Sequence, residues 1–479
     1  MRFHLSLVLF LVLSVISISK SVSALDVGFD GYFRSRANLY NNLDLDRKKS
    51  PATRAYTDFR FRLNPSFFVS DKIRIRTSFN IVDGVLGDNP FRSRSYNNPA
   101  LAQNLLVDPN GVEATVGNPI VSLQNSGYGG VYATDGEVQS ADLLALQMRR
   151  AWAEFDLPYG TLKVGRMPNQ FGMGIYSNAG DGPDQEVGSS RDRIVFETGF
   201  GNYYVRPGVG WISEGKIDQA SDDFYEYFFT FGRKQEDQEI GMSLAYNAQD
   251  AYQPSSSVTN TASLVNAETA YWSFDFYVQN QFSFANLKAE AVLFSGKIVG
   301  RDLLAVNGVL RSEFNRMGKF SLLTEAGYSS GTSDTDLARN KIKSFAFSRD
   351  YDISLLVFEE VLPGGKSVRN ADGTDSNVAA SPHAGAISNT VYGRMKMAYD
   401  AADFFKPAVN VVVPFAATKS QQAGGYLYGV EYNIITLWPI NRYCTADLSF
   451  GHFIPGPFYD KVSNSQSAYV LRAGIVTHF

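Results

Sequence analysis

Residues 58–64 read DFRFRLN, and residues 72–81, which follow the pair Ser70-Asp71, read KIRIRTSFNI. In both stretches apolar residues alternate with charged or polar ones, which is the two-residue period of a β-strand. Each run is about ten residues long, as a tilted strand that crosses a bilayer should be, whereas strands of soluble sandwiches average about five or six. The two stretches therefore predict a hairpin of a transmembrane β-barrel, with an apolar face towards lipid and a charged face towards the lumen.

The same alternation continues to the end of the chain. Further strand pairs are predicted at 143–156 with 161–166, 224–232 with 240–246, 270–282 with 287–294, 306–314 with 320–328, 391–399 with 408–415 and 426–434 with 444–450, with a last strand at 469–479. Longer polar segments lie at 85–141, 166–191, 249–268, 331–349 and 363–388. The predicted fold class is therefore all-β: a single antiparallel transmembrane β-barrel with short periplasmic turns and long extracellular loops.

The number of strands follows from the chain length. At roughly 25 residues per strand and connection, the chain after its first 24 residues gives about 18 strands, within a range of 16 to 20. A strand at 352–360 complicates this count. When strands are counted from the N-terminus, this strand runs towards the periplasm, which makes 363–388 a periplasmic loop. When they are counted from the C-terminus, it runs towards the cell surface. Either a further strand lies within 340–347, or one assigned strand is a merged pair.

The N-terminal residues predict export. Arg2 supplies a positive charge, Leu5 to Ile18 is almost unbroken apolar sequence, and Val22-Ser23-Ala24 offers small residues for a signal peptidase. The apolar stretch has about 14 residues, fewer than the roughly 20 that span a bilayer as a helix. We therefore expect a cleaved signal peptide at 1–24 and an outer-membrane β-barrel at 25–479.

Composition excludes several classes of function. Loss of Arg2 and Lys20 with the signal peptide would leave 42 basic and 48 acidic residues, a balance that argues against nucleic acid as a partner. Cys444 is the only cysteine, so it can form no internal disulfide. The four histidines show no zinc spacing, and we predict no metal, cofactor or catalytic residue. The pattern at Gly327 to Gly331 resembles a hydrolase nucleophile elbow but lacks the helix that should follow.

Basic residues are concentrated on one face of the first strands. Burial in lipid would cost several kcal/mol per charge, so these side chains should face the lumen. The predicted pore-lining basic wall comprises Arg34, Arg36, Arg60, Arg62, Arg74, Arg76, Arg150 and Lys163. The loop after the fifth strand carries acidic residues that could form the opposite side of a constriction, namely Asp181, Asp184 and Glu186. Such a constriction would sort solutes by charge; the alternative is that these charges only pair with one another and are solvated.

The chain ends on an outer-membrane pattern. Tyr469, Leu471, Ala473 and Ile475 share one face with the terminal Phe479. The final aromatic residue, with Gly474 five positions before it, resembles the assembly signal of bacterial outer-membrane proteins, although Thr477 stands where that signal favours an aromatic residue. The resemblance implies recognition by the barrel-assembly machinery.

Aromatic residues near predicted strand ends suggest interfacial girdles, with a lining for sugars as the alternative. They are Tyr203, Tyr204, Trp211, Tyr225, Tyr227, Tyr271 and Trp272.

One segment resembles a known group of barrels. Gly165-Arg166-Met167-Pro168, followed by Phe171-Gly172-Met173-Gly174, looks like the strand-to-loop segment of Gram-negative porins and of the alginate-export type. That type favours Arg-Gln after the glycine, whereas this chain has Arg166-Met167. The resemblance implies that a long second extracellular loop and a long late periplasmic loop cover the pore, and 85–141 and 363–388 fall in similar places. It gives weak support for an anionic polysaccharide as the solute.

These observations predict an outer-membrane porin for passive or weakly selective diffusion of small hydrophilic solutes. The more specific form of this prediction is a channel for anionic solutes. The alternative is a non-conducting surface barrel that acts as an adhesin or scaffold, suggested by the polar loop 85–141. Expected partners are the lipid bilayer, lipopolysaccharide and the solute. The apolar outer strands also suit a neighbouring barrel in a homo-oligomer.

Overall fold

The computed structural model describes residues 26–43, 45–46, 53–85, 147–213, 224–249, 269–298, 300–360, 362, 368–369, 375–376, 386–419, 423–461 and 465–479. The predicted signal peptide at 1–24 and nearly all of the loop 85–141 lie outside these residues, so both remain predictions. Within the described part of the chain, no helix is long and apolar enough to span a membrane.

Eighteen antiparallel strands form one closed sheet, which confirms the predicted fold class and strand number. They are β1 (Asp26–Asn41), β2 (Thr53–Ser70), β3 (Ile73–Val85), β4 (Gln147–Leu157), β5 (Gly160–Pro168), β6 (Ser190–Phe200), β7 (Tyr203–Ser213), β8 (Phe224–Lys234), β9 (Gln238–Gln249), β10 (Thr269–Gln281), β11 (Ala285–Ile298), β12 (Arg301–Met317), β13 (Phe320–Ser329), β17 (Thr390–Tyr399), β18 (Lys406–Ala416), β19 (Gly429–Pro439), β20 (Cys444–Pro455) and β21 (Ala468–His478). Three short strands, β14 (Lys341–Ile342), β15 (Val368–Arg369) and β16 (Asp375–Ser376), and two single-turn helices at Asp334–Ala338 and Pro457–Lys461 lie in the connections.

The first and last strands close the barrel. β1 pairs with β21 from Tyr32 opposite His478 to Asn41 opposite Tyr469. Gly31 and Phe479 then exchange two backbone hydrogen bonds, each of 3.2 Å. Because every strand has two neighbours, no edge is left with unpaired backbone groups, as a lipid environment requires.

The strand count is even because one predicted strand does not exist. Residues 352–360 form no barrel strand, and β13 pairs directly with β17. The connection between β13 and β17 therefore leaves and re-enters the barrel at the long-loop end, so the prediction of 363–388 as a periplasmic loop is wrong. Lys341–Ile342, within the suspected region 340–347, pairs in parallel with β12 for only two residues. The apolar residues of 352–360 resemble a strand because they are buried inside the barrel, where a loop can be as apolar as a strand.

Lumen and lipid faces alternate along each strand. On β17, Val391, Met395 and Met397 are exposed on the outside, whereas Tyr392 is buried on the inside and Lys396 lines the lumen. The outer girdle prediction fits Tyr227 and Trp272, which are exposed. It fails for Tyr271, which is 1% exposed and packs in the interior.

Two loops occupy the interior of the barrel. Residues 169–189, here called the constriction loop, connect β5 to β6, and residues 343–362, here called the plug loop, belong to the connection between β13 and β17. Apolar side chains of both loops pack against the inner wall in one buried cluster. Phe345 of the plug loop stacks on Phe294 of β11 with ring centroids 3.9 Å apart. The described part of this barrel is therefore a filled lumen rather than an open cylinder.

Candidate functional site: the loop-filled lumen

The first two strands bring four arginines together on the inner wall. Arg34 lies directly opposite Arg60 across β1 and β2, and Arg62 pairs with Tyr32 in the same ladder. Neighbouring strands lie under 5 Å apart, so like charges directly opposite one another repel unless partners compensate them. The side chains of these arginines, and of Arg36 beside them, are almost fully buried. We refer to Arg34, Arg36, Arg60 and Arg62 as the arginine wall.

The constriction loop lies directly on the arginine wall. Arg34 donates to the carbonyl oxygen of Pro183 at 2.5 Å, and Arg60 donates to that of Gln185 at 2.7 Å. Arg62 donates to the carbonyl oxygen of Gly180 at 3.0 Å. Guanidinium groups offer several rigid donors, which suits them to hold successive carbonyl groups of an irregular loop. The wall thus fixes the loop backbone along its length.

Acidic side chains complete the contact between wall and loop. On the wall, Asp58 accepts from Arg34 at 2.6 Å and lies 3.4 Å from Arg36. From the loop, Glu186 accepts from Arg36 at 2.9 Å, and Asp184 lies 3.6 Å away. The sequence predicted basic and acidic residues on opposite sides of the pore. The structure instead places the acidic loop residues in contact with the wall, so the two sets compensate each other locally.

Arg150 on β4 extends this contact. It donates to Asp181 at 2.5 Å and also bonds the carbonyl oxygen of Ala179. All three acidic residues predicted for the loop therefore contact a predicted basic residue.

The remaining predicted basic residues lie apart from the constriction loop. Arg74 and Arg76 both contact Glu154 at 3.2 Å, and Arg74 also reaches Asp156 at 2.9 Å. Lys163 pairs with Glu197 at 2.5 Å. These side chains are about one-third exposed, so they line the polar lumen without touching the loop.

Buried carboxylates anchor both loops, and sequence reasoning missed them. Glu290 on β11 accepts hydrogen bonds from the backbone N–H groups of Met173, Gly174 at 3.1 Å and Ile175 at 3.2 Å. Gly172 and Gly174 adopt positive φ angles, which turn these N–H groups towards one point. A carboxylate that collects several backbone donors compensates for its removal from water. The glycines at 172 and 174 were the only sequence signal for this arrangement.

Two further anchors follow the same pattern. Asp350 of the plug loop accepts from the N–H groups of Glu186 at 2.7 Å, Val187 at 3.0 Å and Gly188. Glu431 on β19 accepts from the N–H groups of the plug loop at 2.7, 3.0 and 2.7 Å, donated by Leu355, Leu356 and Val357. Carboxylates of the barrel strands therefore hold each loop, and Asp350 holds the two loops together.

Described residues of the loops and strands line two cavities in the lumen. The first, of about 440 Å³, lies between the tip of the constriction loop, the plug loop and the strands β17 to β21. Its charged lining includes Arg36, Arg394, Lys396, Arg472, Asp184, Asp352, Glu359 and Asp447. The second, of about 230 Å³, lies between the constriction loop and the strands β5 to β10. Both have a mixed polar and apolar lining.

A carboxyl pair in the plug loop lines the first cavity. Asp352 and Glu359 are hydrogen-bonded to each other. Burial, together with the nearby Asp350 carboxylate, raises the pKa of Asp352 to about 7. Burial and the Asp352 carboxylate raise the pKa of Glu359 well above its usual range. The pair therefore holds a proton near neutral pH.

Comparisons with known proteins identify the fold. No family model and no curated protein matches the chain. Among solved structures, OccK9 (OpdG) of Pseudomonas aeruginosa is similar with a TM-score of 0.50 at 11% identity, over 95% of this chain and 99% of that one. OccAB3 of Acinetobacter baumannii is similar with a TM-score of 0.50 at 10% identity, over 94% and 99%. The fold is that of a Gram-negative outer-membrane porin. At this low identity the likeness to these porins is one of fold.

Proposed function

We propose that this protein is an outer-membrane channel for passive or weakly selective diffusion of small hydrophilic solutes. The observation that carries the proposal is the lumen: charged and polar side chains line it, and two anchored loops narrow it to polar cavities of solute size. Polar lining with a loop-defined constriction is what selectivity for small solutes requires. The adhesin alternative draws no support from the described residues, because the loop 85–141 that suggested it lies outside them.

We also propose that the channel favours anionic solutes. The arginine wall contributes little free positive charge, since acidic groups and loop carbonyls engage it. Support for this preference comes instead from Lys396 on β17, which lines the first cavity and forms no ion pair with any described residue. Arg394, on the same face of β17, also lines this cavity. We therefore propose Lys396 as the residue that favours anions, and keep lipopolysaccharide, the assembly machinery and a homo-oligomer as predicted partners.

Planar-bilayer recording tests both proposals. The purified protein, refolded in detergent, should insert and conduct in steps, and a salt gradient should give a reversal potential of anion-selective sign. Lys396→Gln should shift that potential towards cation selectivity. Lys234→Gln, at an exposed lysine beside a short turn, is the matched control and should leave it unchanged. A folded protein that carries no current would overturn the proposed channel function. A cation-selective current would overturn only the proposed preference for anions.

A further inference from the structure

The second cavity contains a buried carboxylate without a partner. Asp275 on β10 is 2% exposed and lines this cavity. Neither of its carboxylate oxygens has a hydrogen-bond partner among the described protein groups. Burial of an unpaired carboxylate is costly, and buried polar groups in folded proteins are nearly always satisfied. A carboxyl group that borders a cavity and lacks a donor from the protein is therefore placed to receive one from a ligand.

Hydroxyl groups continue from Asp275 along one row of the wall. Asp275 lies opposite Ser243 on β9, and Ser243 lies opposite Thr230 on β8. The two hydroxyls are 2.9 Å apart and hydrogen-bonded to each other. Ser273, two residues before Asp275 on the same face, also lines the cavity. Each hydroxyl can accept a hydrogen bond, so the row offers several acceptors to one ammonium group.

A second carboxylate, that of Glu290, lies near Asp275 but does not line the cavity. Asp275 on β10 lies directly opposite Val292 on β11, so Glu290, two residues before Val292, lies diagonally across from Asp275. The hydrogen bonds to Glu290 come from backbone N–H groups of the constriction loop, at Met173, Gly174 and Ile175. Asp275 and Glu290 therefore make this end of the cavity attractive to a positive group.

The other end of the row is positive. Thr230 lies opposite Arg206 on β7. Arg206 and Lys163 share the single carboxylate of Glu197, at 2.7 and 2.5 Å. On this wall two cations therefore face one anion, which leaves a positive charge in excess. The cavity thus separates charge, with acid on β10 and excess cation on β5 and β7.

We propose that the second cavity binds a small zwitterion, with its ammonium group at Asp275 and its carboxylate towards Lys163 and Arg206. The aromatic rings of Phe171 and Phe228 in the lining suit the short apolar chain between the two ends. The volume of about 230 Å³ is below that of sites for drug-sized ligands and matches a small solute. The inference names a substrate class for the proposed channel and rests on that function, because the ligand reaches the cavity through the lumen.

Three matched probes separate the two ends of the site. 4-Aminobutyrate carries both charges, butylammonium carries only the positive one, and butyrate carries only the negative one. Calorimetric titration of the detergent-solubilised full-length protein should show 4-aminobutyrate binding more tightly than either of the others. Asp275→Asn should weaken the binding of 4-aminobutyrate and of butylammonium at least tenfold and leave the affinity for butyrate unchanged. This variant keeps the side-chain shape and removes a buried unpaired charge, so the barrel should still fold.

The controls distinguish this site from a general charge effect. Glu313→Gln removes a carboxylate that pairs with Lys288 on β11 and does not line the cavity, and it should leave all three affinities unchanged. Lys163→Gln should weaken the two carboxylate probes and spare butylammonium. Wild-type protein that conducts but binds no amine would overturn the inference and keep the channel. A silent protein that binds 4-aminobutyrate through Asp275 would overturn the channel and keep the site.

Discussion

At the scale of the residue, the lumen is organised by acidic side chains that bind backbone N–H groups. Glu290, Asp350 and Glu431 each collect three such donors from a loop segment. Hydrogen bonds to a charged acceptor contribute about 1.5–3 kcal/mol each, more than neutral ones. Three acidic residues therefore hold two loops that have almost no regular secondary structure of their own.

Glu431→Gln tests this anchoring. The amide retains one acceptor oxygen and loses the negative charge, so the variant should weaken plug-loop docking by about 2 kcal/mol. That loss corresponds to a roughly thirtyfold larger population of released loop. Cleavage of folded protein by a protease within residues 343–362 should accelerate accordingly, and single-channel conductance should rise.

Glu313→Gln serves as the control for Glu431→Gln, because Glu313 pairs with Lys288 and contacts neither loop. Unchanged cleavage and conductance in Glu431→Gln would contradict the anchoring role.

At the scale of the element, the constriction loop and the arginine wall act as one unit. The wall was predicted to select solutes, whereas its contacts indicate that it holds the loop. Arg34→Gln combined with Arg60→Gln removes the donors to Pro183 and Gln185. The loop should then move away from β1 and β2, and conductance should at least double, with more frequent fluctuations in planar-bilayer recordings.

A matched double variant separates loop-holding from simple loss of positive charge. Arg74→Gln with Arg76→Gln removes the same number of charges from neighbouring positions that contact Glu154 instead of the loop. Reversal potentials should move similarly in both double variants, but only the first should gain conductance. Equal conductance in the two would refute the loop-holding role.

Docking of the plug loop should depend on pH through Asp352. The pKa of this carboxyl is raised to about 7 in the docked loop, whereas an exposed Asp titrates near 3.9. The docked state binds more protons between these values, so docking is strongest below about pH 4 and weakens as pH rises through about 7. Channel opening should therefore increase from about pH 5 to about pH 8. Asp352→Asn should flatten this dependence, and an opposite slope in the wild type would exclude the mechanism.

At the scale of the whole molecule, Phe479 extends the pairing of β1 with β21 that closes the barrel. Phe479 exchanges two backbone hydrogen bonds with Gly31, and its ring contacts Phe61 with centroids 5.8 Å apart. Gly474 and Phe479 remain a predicted assembly signal, since their recognition by the assembly machinery is a property of the cell.

Deletion of Phe479 removes the closing hydrogen bonds, at a cost of about 2 kcal/mol. We expect less folded barrel in the outer membrane, measured by the fraction of protein whose mobility in gel electrophoresis changes on heating. Phe479→Tyr keeps the backbone and the ring and should restore the folded fraction. Full folding of the deletion variant would show that closure tolerates the loss.

The sequence by itself determined the barrel. Two-residue alternation in stretches such as 58–64 and 72–81 fixes which face is apolar, and the cost of a charge in lipid then forces Arg60 and Arg62 inwards. Antiparallel order and the inward direction of the basic residues follow from such local patterns, because each strand responds to the same lipid boundary. The strand number followed from the chain length instead, since the local pattern at 352–360 predicted a strand that the barrel does not contain.

Only the tertiary structure decided what fills the lumen. Residues 352–360 have the apolar composition of a strand, and their burial inside the barrel depends on contacts with distant residues such as Glu431. The loop partners of the arginine wall lie more than a hundred residues away in the chain, at Gly180 to Glu186. Asp275 likewise borders a cavity that exists only because six strands and a loop come together in the folded barrel. Periodicity reports which face a residue occupies, whereas a loop-filled interior is set by long-range hydrogen bonds that leave no period in the sequence.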